Sequence, residues 1–102
     1  MALVAQQKKK FRAIGHKLNP IVTIAGNGLS ESVLSELDRA LEDHELIKVK
    51  LAVGDRDIKK EVISEMIDAV KAELVQSIGN IALIYRAAKE PKPNLSNILK
   101  IF

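Results

Sequence analysis

Amphipathic helical stretches alternate with short strand-like runs along the chain, and that alternation restricts the folds open to it. Leu3, Gln7, Phe11, Ile14 and Leu18 recur every three to four residues, the period of one helix face, so a first helix is expected over about residues 3–16. Asn19-Pro20 stops it, because proline drives its predecessor out of the helical region. Ile21 to Ile24 is β-rich and runs into Ala25-Gly26-Asn27-Gly28, a turn whose residues tolerate positive φ. Ser30 suits the N-cap of a second helix, with Val33, Leu34, Leu37, Ala40, Leu41 and His44 on its apolar face. Residues 46–53 alternate, Ile47, Val49 and Leu51 against Lys48 and Lys50, which makes a strand with one basic face. Gly54 breaks that strand, and Asp55 or Asp57 caps a third helix. Ile58, Val62, Ile63, Met66, Ile67 and Val70 form the inner face of this helix. Strands at Val75–Ile78 and Ile81–Arg86 flank Gly79-Asn80, a two-residue hairpin turn.

The order is therefore α-β-α-β-α-β-β. Strands separated by whole helices must be joined by crossovers. The expected product is an α/β fold, a two-layer or sandwich arrangement in which helices pack on a four-stranded mixed sheet. Residues 1–87 form the expected domain. Residues 88–102 read as a Pro-containing linker and a short apolar tail of Leu95, Ile98, Leu99, Ile101 and Phe102, one or two helical turns at most.

With 102 residues, 47% hydrophobic and 28% charged, there is matter for one modest core. Phe11, Tyr85 and Phe102 are the aromatics, so aliphatic side chains must build that core. The longest apolar runs, such as Ile81 to Tyr85, fall far short of the roughly 20 residues of a membrane span. Cysteine is absent, which removes disulfides, cysteine-based zinc sites and thiol nucleophiles, and fits a reducing cytoplasm. The apolar stretch at the N-terminus precedes the lysines, the reverse of a secretory signal.

Charge is unevenly placed. Lys8, Lys9, Lys10, Arg12 and Lys17 give the first 30 residues a charge of +5 with no acid, while the remainder carries −2. A localised basic surface attracts polyanions; equally, three consecutive lysines can simply solvate a helix. Ile21–Ile24, the loop Ala25–Gly28 and the helix capped by Ser30 form a second device. Glycines permit close approach of a ligand, and a helix N-terminus offers free N–H groups and partial positive charge, a combination suited to phosphate. The loop is too short for a Walker motif and lacks its Lys-Ser/Thr ending. It matches better the short glycine loop with which KH domains clamp a sugar-phosphate backbone.

Gly28-Leu29-Ser30, Val33, Ala40-Leu41 and above all His44-Glu45-Leu46-Ile47-Lys48-Val49-Lys50 resemble the CRM family, named for chloroplast RNA splicing and ribosome maturation, whose bacterial single-domain members are called YhbY-like. His16-x-Leu18-x-Pro20, Asp55-Arg56, Val75-Gln76-x-Ile78-Gly79 and Leu83-x-Tyr85-Arg86 extend the likeness over about residues 7–87. The resemblance implies a fold like the C-terminal domain of translation initiation factor three. It also implies RNA binding and, for stand-alone bacterial members, association with precursors of the large ribosomal subunit. The family's G-x-x-G loop falls on Ala25, Gly26, Asn27 and Gly28; Ala25 replaces its first glycine, and the lysine many relatives carry inside the loop is missing. On this basis the expected RNA-contacting residues are Lys8, Lys9, Lys10, Arg12, His16, Lys17, Ala25, Gly26, Asn27, Gly28 and Arg86, with Arg86 near the loop.

Several residues keep two readings. His16 can pack or touch RNA, and Lys48 and Lys50 can be structural or can offer RNA a basic sheet face. His44 reads as a structural hydrogen-bonding group at a helix end, and Tyr85 as core. The scarcity of aromatics argues against recognition by base stacking and favours backbone and 2′-hydroxyl contacts to structured RNA. Enzyme readings lack support. Glu42, Asp43, His44 and Glu45 are consecutive and cannot face one point, and no base is placed beside Ser30, Ser32 or Ser35. The expected protein is a non-enzymatic, cytoplasmic binder of ribosomal RNA, without cofactor, metal, membrane contact or DNA specificity. The alternative is an interaction adaptor docking a protein partner through residues 95–102.

Overall fold

A computed structural model describes residues 4–25 and 28–98. Its elements are α1 (Ala5–Gly15), β1 (Pro20–Ile24), α2 (Glu31–His44), β2 (Leu46–Leu51), α3 (Arg56–Val70), β3 (Glu73–Ile78) and β4 (Ile81–Tyr85), in the expected order. The caps are local chemistry. Gln7 Oε1 accepts from the Val4 N–H at 3.2 Å in front of α1. Ser30 Oγ accepts from Val33 N–H at 3.3 Å, and Asp55 Oδ1 from Asp57 N–H at 2.7 Å, so Asp55 is the cap of α3.

The four strands lie in the order β1-β2-β4-β3. β1 runs parallel to β2, whereas β4 is antiparallel to both β2 and β3. The hairpin strand is thus inserted between two parallel ones, as the β2–α3–β3 crossover requires. Ile78 pairs with Ile81 across the turn, and Gly79 supplies the positive φ of +56° that the tight reversal needs. β3 begins two residues earlier than its apolar run because Glu73 and Leu74 pair with Tyr85 and Ile84.

Strand alternation divides the core between the two faces of the sheet. One face presents Val22, Ile24, Ile47, Val49, Leu51, Ala82 and Ile84 to Leu37 and Leu41 of α2 and to Val62, Ile63, Met66 and Val70 of α3. The other gathers Leu46, Val75 and Leu83 with Phe11 of α1. Of the two arrangements open to the sequence, the sandwich is adopted, with α1 alone on one face. Gly15 permits that packing: a Cβ there would lie 2.6 Å from Leu83 Cδ2. Ile58, assigned by period to the inner face of α3, is 48% exposed, because the first turn of α3 precedes the helix's contact with the core.

Residues 88–98 contain no helix or strand, yet they are fastened to the α2–β2 junction. Glu45 is buried at the C-cap of α2 with φ +62°; its carboxylate accepts from Ala88 N–H at 2.9 Å and Ser96 Oγ–H at 2.7 Å. Glu42 accepts from the N–H groups of Lys89 and Glu90, and Asp43 pairs with Lys92 at 2.5 Å. His44 Nδ1 lies 2.9 Å from Leu95 O, and Asn97 Nδ2 donates to Leu46 O at 2.7 Å. The four consecutive polar residues 42–45 are therefore spent on anchoring the C-terminal segment. Ile98 packs beside the Phe11 cluster; the rest of the tail, residues 99–102, lies outside the described residues.

Candidate nucleic-acid interface

The described part of the loop after β1 is solvent-accessible. Ile24 is fully buried and the next residue, Ala25, is exposed. Gly28 N–H donates to Ala25 O at 2.9 Å, and Ser30 N–H to Gly28 O at 3.2 Å, which closes the turn directly ahead of α2. Gly28 takes φ +77°, and a Cβ there would meet nothing within 4 Å. Ala25 is not among the positive-φ residues, so alanine costs no backbone strain where the family has glycine. Gly26 and Asn27, two of the expected contacts, lie outside the described residues. Beyond the loop, the first turn of α2 presents backbone N–H groups without helical partners, and Glu31 there partly offsets their positive field.

The basic residues of α1 divide by geometry. Lys8, Arg12 and His16 follow one another at four-residue spacing, and Lys9 stands beside that row; Lys10 projects about a quarter-turn or more away. Phe11 and Gly15 point inward and are buried. Among the described residues, Lys8, Lys9, Lys10, Arg12 and His16 make no side-chain hydrogen bond or ion pair. Lys17 is exposed just beyond the helix.

The largest addition to the expected site is the sheet face itself. Four strands about 4.8 Å apart make a surface wider than a helix about 10 Å across. Two helices cover one face; α1 alone cannot cover the other. Lys48 pairs with Leu83 and Lys50 with Ile81, which places both lysines on the α1 side. Lys50 is exposed and Lys48 half-buried, and neither is paired with another described residue. Thr23, opposite Lys50 in β1, shares the face. The alternation of residues 46–51 revealed the basic face; that it stays open follows only from having a single helix on that side.

The loop and the α1 lysines are not adjacent. Phe11 stacks on Tyr85 with ring centroids 4.7 Å apart, and Tyr85 pairs with Leu46, whereas Ile24 pairs with Leu51. Five strand residues, about 17 Å, separate the two levels, with Lys48 and Lys50 between them.

Arg86 requires a correction. It follows β4 at the Leu46 end of the sheet, opposite the loop, so it does not reach the loop's neighbourhood. Its guanidinium donates to Asp38 Oδ1 at 2.6 Å, Asp38 O at 3.0 Å and Val70 O at 3.0 Å, which ties α2 to the end of α3. A terminal arginine in a motif gives no sign of its partner, and the antiparallel direction of β4 decides it. The clasp around residues 42–45 shifts two carboxyls. Glu42 is held below its ordinary value by the N–H groups of Glu90 and Lys89, and Asp43 by its hydrogen bond from Lys92. Burial, aided by the Glu45 charge, raises the Tyr85 phenol.

These features define an α/β domain with an open cationic sheet face, a glycine loop at one end and a basic helix at the other. The chain belongs to the CRS1/YhbY (CRM) domain family, whose sequence model matches residues 3–86. It is 54% identical over 98 residues, 96% of this chain and 94% of its counterpart, to a protein of Pseudomonas aeruginosa named a probable RNA-binding protein. It is 45% identical over 93 residues to an RNA-binding protein of Haemophilus influenzae, covering 91% and 94% of the two chains. A solution structure from Staphylococcus aureus, described as a hypothetical protein and candidate RNA binder, superposes with a TM-score of 0.76 at 38% identity, over 87% of this chain and 93% of that one.

Proposed function

We propose that this chain is a non-enzymatic RNA-binding protein that holds a structured segment of ribosomal RNA during maturation of the large subunit, in the cytoplasm. The observation that carries the reading is a row of basic residues, without a bonding partner among the described residues, along α1 and across the part of the sheet face that α1 leaves open. Lys8, Lys9, Arg12 and His16 lead to Lys48 and Lys50, and these to the open loop. The lysines and Arg12 neutralise successive phosphates, while the N–H groups behind Gly28 receive one phosphate at the helix N-terminus. Phe11 and Tyr85 are occupied with each other, so contact with the sugar-phosphate chain dominates. The relatives' names support RNA as ligand, and the resemblance to stand-alone bacterial members supports the ribosomal assignment.

Two measurements test it. Affinity of the full chain for fragments of large-subunit RNA should fall steeply with salt, and replacing Lys48 and Lys50 by glutamine should flatten the log–log slope by about one to two units. Crosslinking in cells followed by sequencing should concentrate in large-subunit RNA. Salt-independent binding would remove the electrostatic surface, and crosslinks confined to other transcripts would remove the ribosomal role.

A further inference from the structure

A half-open pocket of about 180 Å3 lies on the uncovered sheet face where α1 ends. Ile78, Ile81 and Leu83 form its floor, and His16, Lys48 and Gln76 its rim. The floor is aliphatic and in part open to solvent, with Ile78 62% exposed. Gly15 of α1 closes one end; a Cβ there would lie 2.6 Å from Leu83 Cδ2, so glycine is what lets the helix sit this close. A cavity of about 150 Å3 is enough to hold a benzene ring, so the pocket has room for one six-membered ring and little more.

The rim selects the kind of ring. The Gln76 side chain bonds to no described residue, and its amide offers a donor and an acceptor side by side, the pattern of a nucleobase edge. Lys48 faces it across Leu83, two strands away, and its ammonium bonds to no described residue. The pocket lies between Lys50 and the α1 row, inside the surface assigned above to the RNA backbone.

The geometry points to this pocket as the seat of one unstacked pyrimidine of a bound RNA. The inference rests on the RNA-binding reading and deepens it: the backbone crosses the cations while one base turns inward onto the aliphatic floor. Gln76 reads the base edge and Lys48 contacts the neighbouring phosphate. A purine's second ring finds no room within the rim and is left in solvent, and a duplex keeps its bases stacked out of reach. Aliphatic side chains here do the work for which the described residues offer no free aromatic.

Three hairpin RNAs that differ only at one bulged position, carrying uridine, adenosine or an abasic ribose, test the inference at fixed salt. The full chain should bind the uridine hairpin about tenfold more tightly than the abasic one, the scale of burying one small apolar ring, with adenosine between the two. Gln76→Leu should bring uridine toward the abasic level while leaving the salt slope unchanged. As a readout independent of any variant, the methyl NMR signals of Ile78, Ile81 and Leu83 in the unaltered chain should move with the uridine hairpin and stay in place with the abasic one. Equal, salt-sensitive affinity for all three hairpins with unmoved methyls overturns the pocket and leaves the RNA-binding reading standing. Absence of salt-sensitive binding to any of them overturns both.

Discussion

Glu45 and Lys71 both hold a non-glycine backbone at positive φ, +62° and +56°, and they should answer oppositely to the same substitution. Lys71 caps α3 in the left-handed region, and no described partner of its side chain offsets the strain. Lys71→Gly should stabilise the fold by about 1 kcal/mol, a rise of about 4–8 °C in a thermal melt for a domain of this size. Glu45, with ψ −51°, lies outside the left-handed region; Glu45→Gly also relieves strain but leaves Ala88 N–H and Ser96 Oγ–H without their acceptor. Hydrogen bonds to a charged group contribute about 1.5–3 kcal/mol each, so this variant should melt lower. Gly28 differs from both, with empty space where a side chain would go. Gly28→Asp should keep the fold within about 1 kcal/mol, since aspartate tolerates left-handed backbone better than most residues. It should nonetheless weaken RNA binding by setting a carboxylate where a phosphate docks, measured by titration beside a melt.

The helices carry the larger electrostatic expectations. Replacing Lys8, Lys9 and Lys10 of α1 by alanine should lower the salt slope of RNA binding by about one to three units. Lys10 should contribute least, because it points away from the Lys8–Arg12–His16 row. The C-terminal end of α2 makes a different forecast. Attachment of residues 89–92 lowers the Glu42 and Asp43 carboxyls from ordinary values of 4.5 and 3.8. Groups whose attached pKa lies below the free one stabilise attachment fully above the free value and lose that effect as pH falls through the lowered one. Hydrogen exchange at the Lys89 and Glu90 amides, corrected for intrinsic rate, should therefore accelerate below about pH 4 before the amides of β4 do. Uniform exchange across this range would mean that the clasp does not hold the segment.

For the molecule as a whole, truncation after Ala87 should lower stability by about 1–3 kcal/mol, because Glu45, Glu42 and His44 lose their bonding partners. RNA affinity at a temperature where the shortened chain stays folded should be unchanged, since no residue of the C-terminal segment is among the proposed RNA contacts. Truncation that abolishes RNA binding would place the site on the C-terminal segment. The clasp also shows where sequence reading stopped. A Pro-containing stretch without apolar period reads as linker, and its bonds run to residues about 50 positions earlier, a separation that carries no local signal.

Local chemistry sufficed for the elements and their order. Proline at position 20, the Ser30 and Asp55 caps, the Gly79 reversal and the period of each apolar stripe act over three or four residues, so they are written in consecutive letters. Which face each helix covers, which end of the sheet Arg86 reaches and whether Lys48 and Lys50 remain open depend on strand direction and on how three helices share two faces. Those outcomes are set by burial across the whole sheet. The open cationic face with its small pocket therefore exists only once α2 and α3 have taken one side and left α1 alone on the other.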